Sequence, residues 1–201
     1  GFIANIKGVE SNWILKQSLK GLNCMEHRGG CGGDSDSGDG AGILCSIPWN
    51  YLEKQVNFKN KKEYDKGLGM VFMPNIKEKI EECKSICEQE AKKLRINKTS
   101  WRTVPVNSEI LGPLAKANAP FISQWILFID KKENNDIERL LFQLRKRIEK
   151  KIRESFKNQV GDCEFYFASL SAKTVVYKGM VRSEILSEFY QDLKEESFKV
   201  S

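Results

Sequence analysis

The sequence predicts an α+β fold of antiparallel or mixed sheets with helices packed on them. Two observations carry this expectation. Short strand patterns and amphipathic helix patterns follow one another in mixed order, not in strict strand–helix alternation. Two strand-like runs, 165–170 and 174–177, also succeed each other around Ser171-Ala172 with only a short turn between them. A length of 201 residues suits one domain.

The elements follow in chain order. Residues 2–7 alternate apolar and polar, as a short strand does. Ser11 is placed to cap a helix with Ile14, Leu15, Leu19 and Leu22 on its apolar side. That helix is expected to stop near Gly29-Gly30, where glycine suits a left-handed end. Strands are predicted at 43–49, ending at Pro48, and at 67–74. Ile76, Ile80, Cys83, Ile86, Cys87 and Leu94 mark an amphipathic helix. Residues 101–106 read as extended, 111–115 as a turn or short helix, and 124–130 as a strong strand. Ile137, Leu140, Leu141, Leu144, Ile148, Ile152 and Phe156 recur at three- and four-residue steps, the clearest helix in the chain, with Asn135 as its cap. Ser183 is placed to cap a last helix carrying Ile185, Leu186, Phe189, Tyr190 and Leu193.

Composition narrows the functional classes. Hydrophobic residues make up 40% of the chain, enough for a core, and no apolar run is long enough to span a bilayer. The net charge of +6 invites a nucleic-acid reading. The densest basic run, Arg145-Lys146-Arg147 with Lys150, Lys151 and Arg153, is nevertheless interleaved with Glu149 and Glu154 on a helix, which reads as a solvated face. Neither a nucleic acid nor a membrane is therefore expected as a partner. None of the six cysteines forms a Cys-x-x-Cys pair and there is one histidine, so no metal site is expected. The thiols read as buried or idle in a reducing compartment.

Residues 25–43 are the most distinctive stretch. They hold close to half of the chain's 15 glycines, four acids and the only histidine. Glycine lets another chain or a ligand approach the backbone, and Asp and Ser favour turns.

Several segments together resemble the glutaminase domain of glutamate synthase, a class II glutamine amidotransferase. They are Gly1-Phe2-Ile3-Ala4, Met25-Glu26-His27-Arg28-Gly29-Gly30, Asp36-Ser37-Gly38-Asp39-Gly40-Ala41-Gly42-Ile43, Gly69-Met70-Val71-Phe72, 101–106, 165–171 and Thr174-Val175-Val176-Tyr177-Lys178-Gly179-Met180. The resemblance implies an N-terminal-nucleophile hydrolase fold, an αββα sandwich of mostly antiparallel sheets. It also implies attack by the thiolate of an N-terminal cysteine on the glutamine amide, giving a glutamyl thioester and ammonia. The free α-amino group, with an ordinary pKa near ~8, serves as base. In the complete enzyme the ammonia passes to a second site, where 2-oxoglutarate is aminated and reduced to glutamate. That step uses FMN, an iron–sulfur cluster and electrons from ferredoxin or a nicotinamide-linked subunit. A soluble intracellular setting is implied, cytoplasm or plastid stroma.

The chain departs from the family pattern at both ends. Family members begin Cys-Gly-x-Gly-Phe, whereas this chain begins Gly1-Phe2, so the nucleophile is expected just upstream of Gly1. The internal Cys24, Cys31 and Cys45 lack a free amine. The family's substrate-carboxylate arginine and Asn-Gly oxyanion pair have no counterpart after Met180. Residues 1–201 are thus expected to be a partial type 2 amidotransferase domain, inactive by itself, with no catalytic residue and no cofactor of its own.

The resemblance assigns supporting roles. Arg28 and Gly29 would position the nucleophile, the alternatives being a salt bridge to Asp34, Asp36 or Asp39 for Arg28 and a plain helix cap for Gly29. Asp39, Gly40, Ala41 and Gly42 would form the floor of the site, the alternative for Asp39 being a plain turn residue. His27 reads as structural, since the terminal amine is the base. Lys178 reads as structural, and Trp101 and Trp125 as core.

Overall fold

The computed structural model describes residues 1–25, 38, 40–56, 64–131, 136–157 and 164–201. Its helices are α1 (Asn12–Asn23), α2 (Trp49–Gln55), α3 (Lys77–Lys93), α4 (Pro113–Ala117), α5 (Ile137–Phe156) and α6 (Leu186–Phe189). Its strands are β1 (Ala41–Ser46), β2 (Tyr64–Met73), β3 (Lys98–Thr103), β4 (Phe121–Asp130), β5 (Tyr166–Ser171) and β6 (Thr174–Gly179). Contacts divide the chain into two compact units.

One unit comprises Val56–Thr103 and Pro120–Val175. Its sheet has the order β3-β4-β2-β5, with every neighbouring pair antiparallel. Val71, Met73, Trp125, Leu127, Ile129, Phe167 and Leu170 form a core with apolar residues of α3 and α5. Trp101 stacks on Trp125, centroids 5.2 Å apart; Trp125 lies in this core and Trp101 packs against it. The alternate residues Leu68, Met70, Phe72, Ile122, Ile126 and Phe128 are also buried. Burial on both faces explains why β2 and β4 read as continuous apolar runs. Each fully buried large side chain contributes roughly 1.5–3 kcal/mol.

The predicted helix of the heptad-like run is α5, capped by Asp136, whose Oδ1 accepts from the Arg139 amide at 3.1 Å. Asn135 lies outside the described residues. The basic run on α5 is engaged by acids. Arg145 and Lys146 reach Glu149, Lys150 reaches Glu154, and Arg147 crosses to Glu90 of α3 at 2.9 Å.

The other unit comprises Gly1–Gln55, Val104–Ala119 and Val176–Ser201. Ser11 caps α1 as expected, its hydroxyl accepting from the Ile14 amide at 3.3 Å. Ser11 also bridges to Val200, and buried Asn12 donates to the Glu195 and Phe198 carbonyls, each at 3.0 Å. These bonds fasten the start of α1 to the last residues. β1 pairs with β6 in a two-stranded sheet.

Four expectations need correction. Residues 2–7 form no strand: Phe2 and Ile6 are exposed, and alternation without a partner strand yields no ladder. α1 ends at Asn23, well before Gly29-Gly30, because the Cys24 amide closes the last turn onto Leu22 and Lys20. β5 and β6 are no hairpin; they belong to different sheets. Glu138 of α5 grips the turn between them, accepting from the Ser171 hydroxyl and the Ala172 amide at 2.8 Å each. The last helix is broken into 3-10 segments at Ser183–Ile185 and Gln191–Lys194 around the short α6, and Ser183 lies inside the first of these, after the capping residue Arg182.

Candidate functional site

Of the residues singled out in the glycine-rich block, Gly40, Ala41 and Gly42 are described. His27, Arg28, Gly29, Cys31 and Asp39 lie outside the described residues. Gly40 has φ of +129°, a backbone conformation that side chains rarely adopt. Ala41 and Gly42 open β1.

The described glycines lie against one strand. A Cβ at Gly42 would stand 2.8 Å from the Tyr177 carbonyl oxygen and from the Lys178 Cβ. One at Gly40 would lie 3.4 Å from the Gly179 carbonyl oxygen, and one at Gly38 2.8 Å from the Val181–Arg182 backbone. Successive second residues, 38, 40 and 42, thus meet successively earlier positions of 177–182. The period of two is that of an extended chain, and the reversed order means that the two segments run in opposite directions. The glycine face exists because backbone occupies the space where side chains would be.

Beneath this track is a buried polar cluster. Asp192 is fully buried. Its Oδ1 accepts from the Tyr51 hydroxyl at 2.8 Å and its Oδ2 from the Tyr177 hydroxyl at 3.1 Å. Tyr190 donates to the Lys178 carbonyl at 2.7 Å. The Lys178 side chain is exposed. Sequence reasoning missed Asp192 and Tyr51. The visible signal was an acid set among Phe189, Tyr190 and Leu193, all of them buried.

Among the described residues no group of three or more His, Cys, Asp or Glu is placed to hold a metal. No helix among them is long and apolar enough to cross a membrane.

Comparison with known proteins places these features in a family. The model for "Glutamine amidotransferases class-II" matches residues 1–201. The chain is 42% identical over 203 residues to the ferredoxin-dependent glutamate synthase, chloroplastic, of Oryza sativa subsp. japonica, covering 99% of this chain and 12% of that protein. It is 43% identical over 196 residues to the ferredoxin-dependent glutamate synthase of Pyropia yezoensis, covering 96% of this chain and 12% of that protein. It is 42% identical over 198 residues to ferredoxin-dependent glutamate synthase 2 of Synechocystis sp., with the same two shares, 96% and 12%. The chain therefore spans about one-eighth of the length of these curated relatives.

Proposed function

The chain belongs to the class II glutamine amidotransferases, and on that premise we propose that it is part of the glutaminase domain of a ferredoxin-dependent glutamate synthase. The observation that carries this is identity of about two-fifths over nearly the whole chain to relatives that bear that name. In this reading the domain releases ammonia from glutamine for the reductive amination of 2-oxoglutarate. The αββα sandwich of N-terminal-nucleophile hydrolases is the proposed architecture. Family membership and the antiparallel sheet carrying α3 and α5 support it.

The proposed chemistry starts from a cysteine just upstream of Gly1. Its thiolate attacks the amide carbon, ammonia leaves, and water cleaves the thioester. The terminal amine carries the proton between sulfur and the leaving nitrogen. Arg28 and Gly29 hold the nucleophile's backbone, a guanidinium being well suited to anchor carbonyl groups. Asp39, Gly40, Ala41 and Gly42 form the floor. Close backbone contact at Gly42 supports a rigid floor.

FMN and an iron–sulfur cluster are assigned to other parts of such an enzyme. Ferredoxin is the proposed electron donor, since the relatives are named for it, and the nicotinamide-linked alternative finds no support in those names. Plastid stroma is the proposed setting, in line with the chloroplastic name of the Oryza relative.

The test is glutamate release from glutamine by the full-length protein, before and after Arg28→Ala. Activity that falls on the order of 100-fold, as misplacement of a reacting group causes, supports the reading. A wild-type protein that leaves glutamine intact defeats it and points to a non-catalytic module.

A further inference from the structure

Asp192 is a carboxylate with no exposed surface, and nothing in the proposed chemistry uses it. Burying a charge is costly unless strong donors meet it. Here two phenols do so from different elements, Tyr51 of α2 and Tyr177 of β6, while Asp192 itself sits on the 3-10 segment Gln191–Lys194. The surrounding rings leave little freedom. Tyr177 meets Tyr190 edge-on at 5.0 Å and Phe198 at 5.7 Å, and Tyr51 meets Phe198 at 5.5 Å. Tyr190 then fixes the carbonyl of the next residue, Lys178.

The held stretch is the one on which the glycines rest. Tyr177 and Lys178 face Gly42, Gly179 faces Gly40, and Val181–Arg182 face Gly38. With no side chains between the two backbones, any shift of β6 passes directly to the glycine segment. A cushion of flexible side chains would absorb it.

We propose that Asp192 is a positioning residue for the glutaminase site: by gripping Tyr177 and Tyr51 it fixes the strand against which the floor residues Gly40 and Gly42 rest. This rests on the reading of those residues as the floor of a glutamine site. The grip acts through Tyr177, the member on the strand itself, so loss of the Tyr177 hydroxyl disturbs the floor more than loss of the Tyr51 hydroxyl. A cluster that merely stabilised the fold would give activity losses that follow the folded fraction, with no preference for the hydroxyl carried by the strand.

The experiment uses the full-length protein with Asp192→Asn, Tyr177→Phe and Tyr51→Phe. Asparagine keeps the shape but sets an amide donor against two hydroxyl donors, so one bond must turn over. Glutamine hydrolysis is measured against substrate concentration, and hydrogen exchange is followed in residues 40–46. The expected result is a kcat loss on the order of 10- to 100-fold for Asp192→Asn, with little change in KM. Tyr177→Phe loses more than Tyr51→Phe, and exchange in 40–46 quickens in the same order. Unchanged kcat in Asp192→Asn and Tyr177→Phe overturns the proposal, as do losses that only track the folded fraction. If Asp192→Asn does not fold, the two tyrosine variants decide by their order. If the wild type does not hydrolyse glutamine, the glutaminase reading falls, and exchange in 40–46 still decides the anchoring: faster exchange upholds it, unchanged exchange overturns it.

Discussion

Gly42 and Lys178 approach so closely that a β-carbon on Gly42 would stand 2.8 Å from the Lys178 β-carbon. Real β-carbons do not come that near, and the same imagined atom meets the Tyr177 carbonyl oxygen at 2.8 Å. Neither obstacle is the movable end of a side chain. Gly42→Ala is therefore expected to force β1 and β6 apart, at about 1–3 kcal/mol, as overpacking does. Faster hydrogen exchange in residues 41–46, with little change in β2–β4, would register it.

Arg95 ends α3 in the left-handed region, φ 62°. The Ile96 amide bonds back to Ala91 and the Arg95 amide to Lys92, closing the helix end. Glycine favours this geometry, and exposed Arg95 makes room for it. Arg95→Gly is expected to stabilise the larger-sheet unit by about 0.5–1 kcal/mol. An increased urea midpoint, read from tryptophan fluorescence, is the check.

Glu90 is buried and its carboxyl is held below the ordinary range. The Lys93 hydrogen bond is the main cause, burial opposes it, and Arg147 adds to it. A depressed folded-state pKa means stability that is fully present above the unfolded value and lost as pH falls through the folded one. The protein is expected to hold this contribution at neutral pH and lose it below about pH 4.5. Glu90→Gln should cost about 1–2 kcal/mol at pH 7, since both partners still reach water, and should flatten the acid limb of the stability profile.

The cysteines should separate by reactivity. Burial pushes the Cys45 thiol up to about 12 and that of Cys87 well above its ordinary value, with Cys83 and Glu88 adding to the rise at Cys87. Cys24 is exposed and Cys83 is buried. Alkylation at pH 8 followed by peptide mapping should label Cys24 well before Cys45, Cys83 and Cys87, because thiolate and access are both required.

Much of this was legible where the cause is local. The Ser11 cap and the periodicity of α3 and α5 depend on neighbours a turn away, and both appear as read. The helix α2 was missed because it is short and buries only Tyr51 and Leu52, too few positions to show a period. The separation of β5 from β6 could not be read, because Glu138, more than thirty residues upstream, holds the turn. The glycine track shows both sides. Its composition marked Gly40 and Gly42 as special, but only the fold shows that Tyr177–Arg182 fill the space opposite. Asp192 went unremarked in the sequence, since nothing local announces two phenols from distant segments.

The central claim is that this chain supports an N-terminal cysteine that hydrolyses glutamine. The most direct test treats the full-length protein with an electrophilic glutamine analogue and maps the adduct by mass spectrometry. The account predicts a single adduct on an N-terminal cysteine just upstream of Gly1, with glutaminase activity lost in step. An adduct on Cys24 or Cys45 instead, or glutamine hydrolysis that persists with that upstream cysteine replaced by alanine, would contradict it.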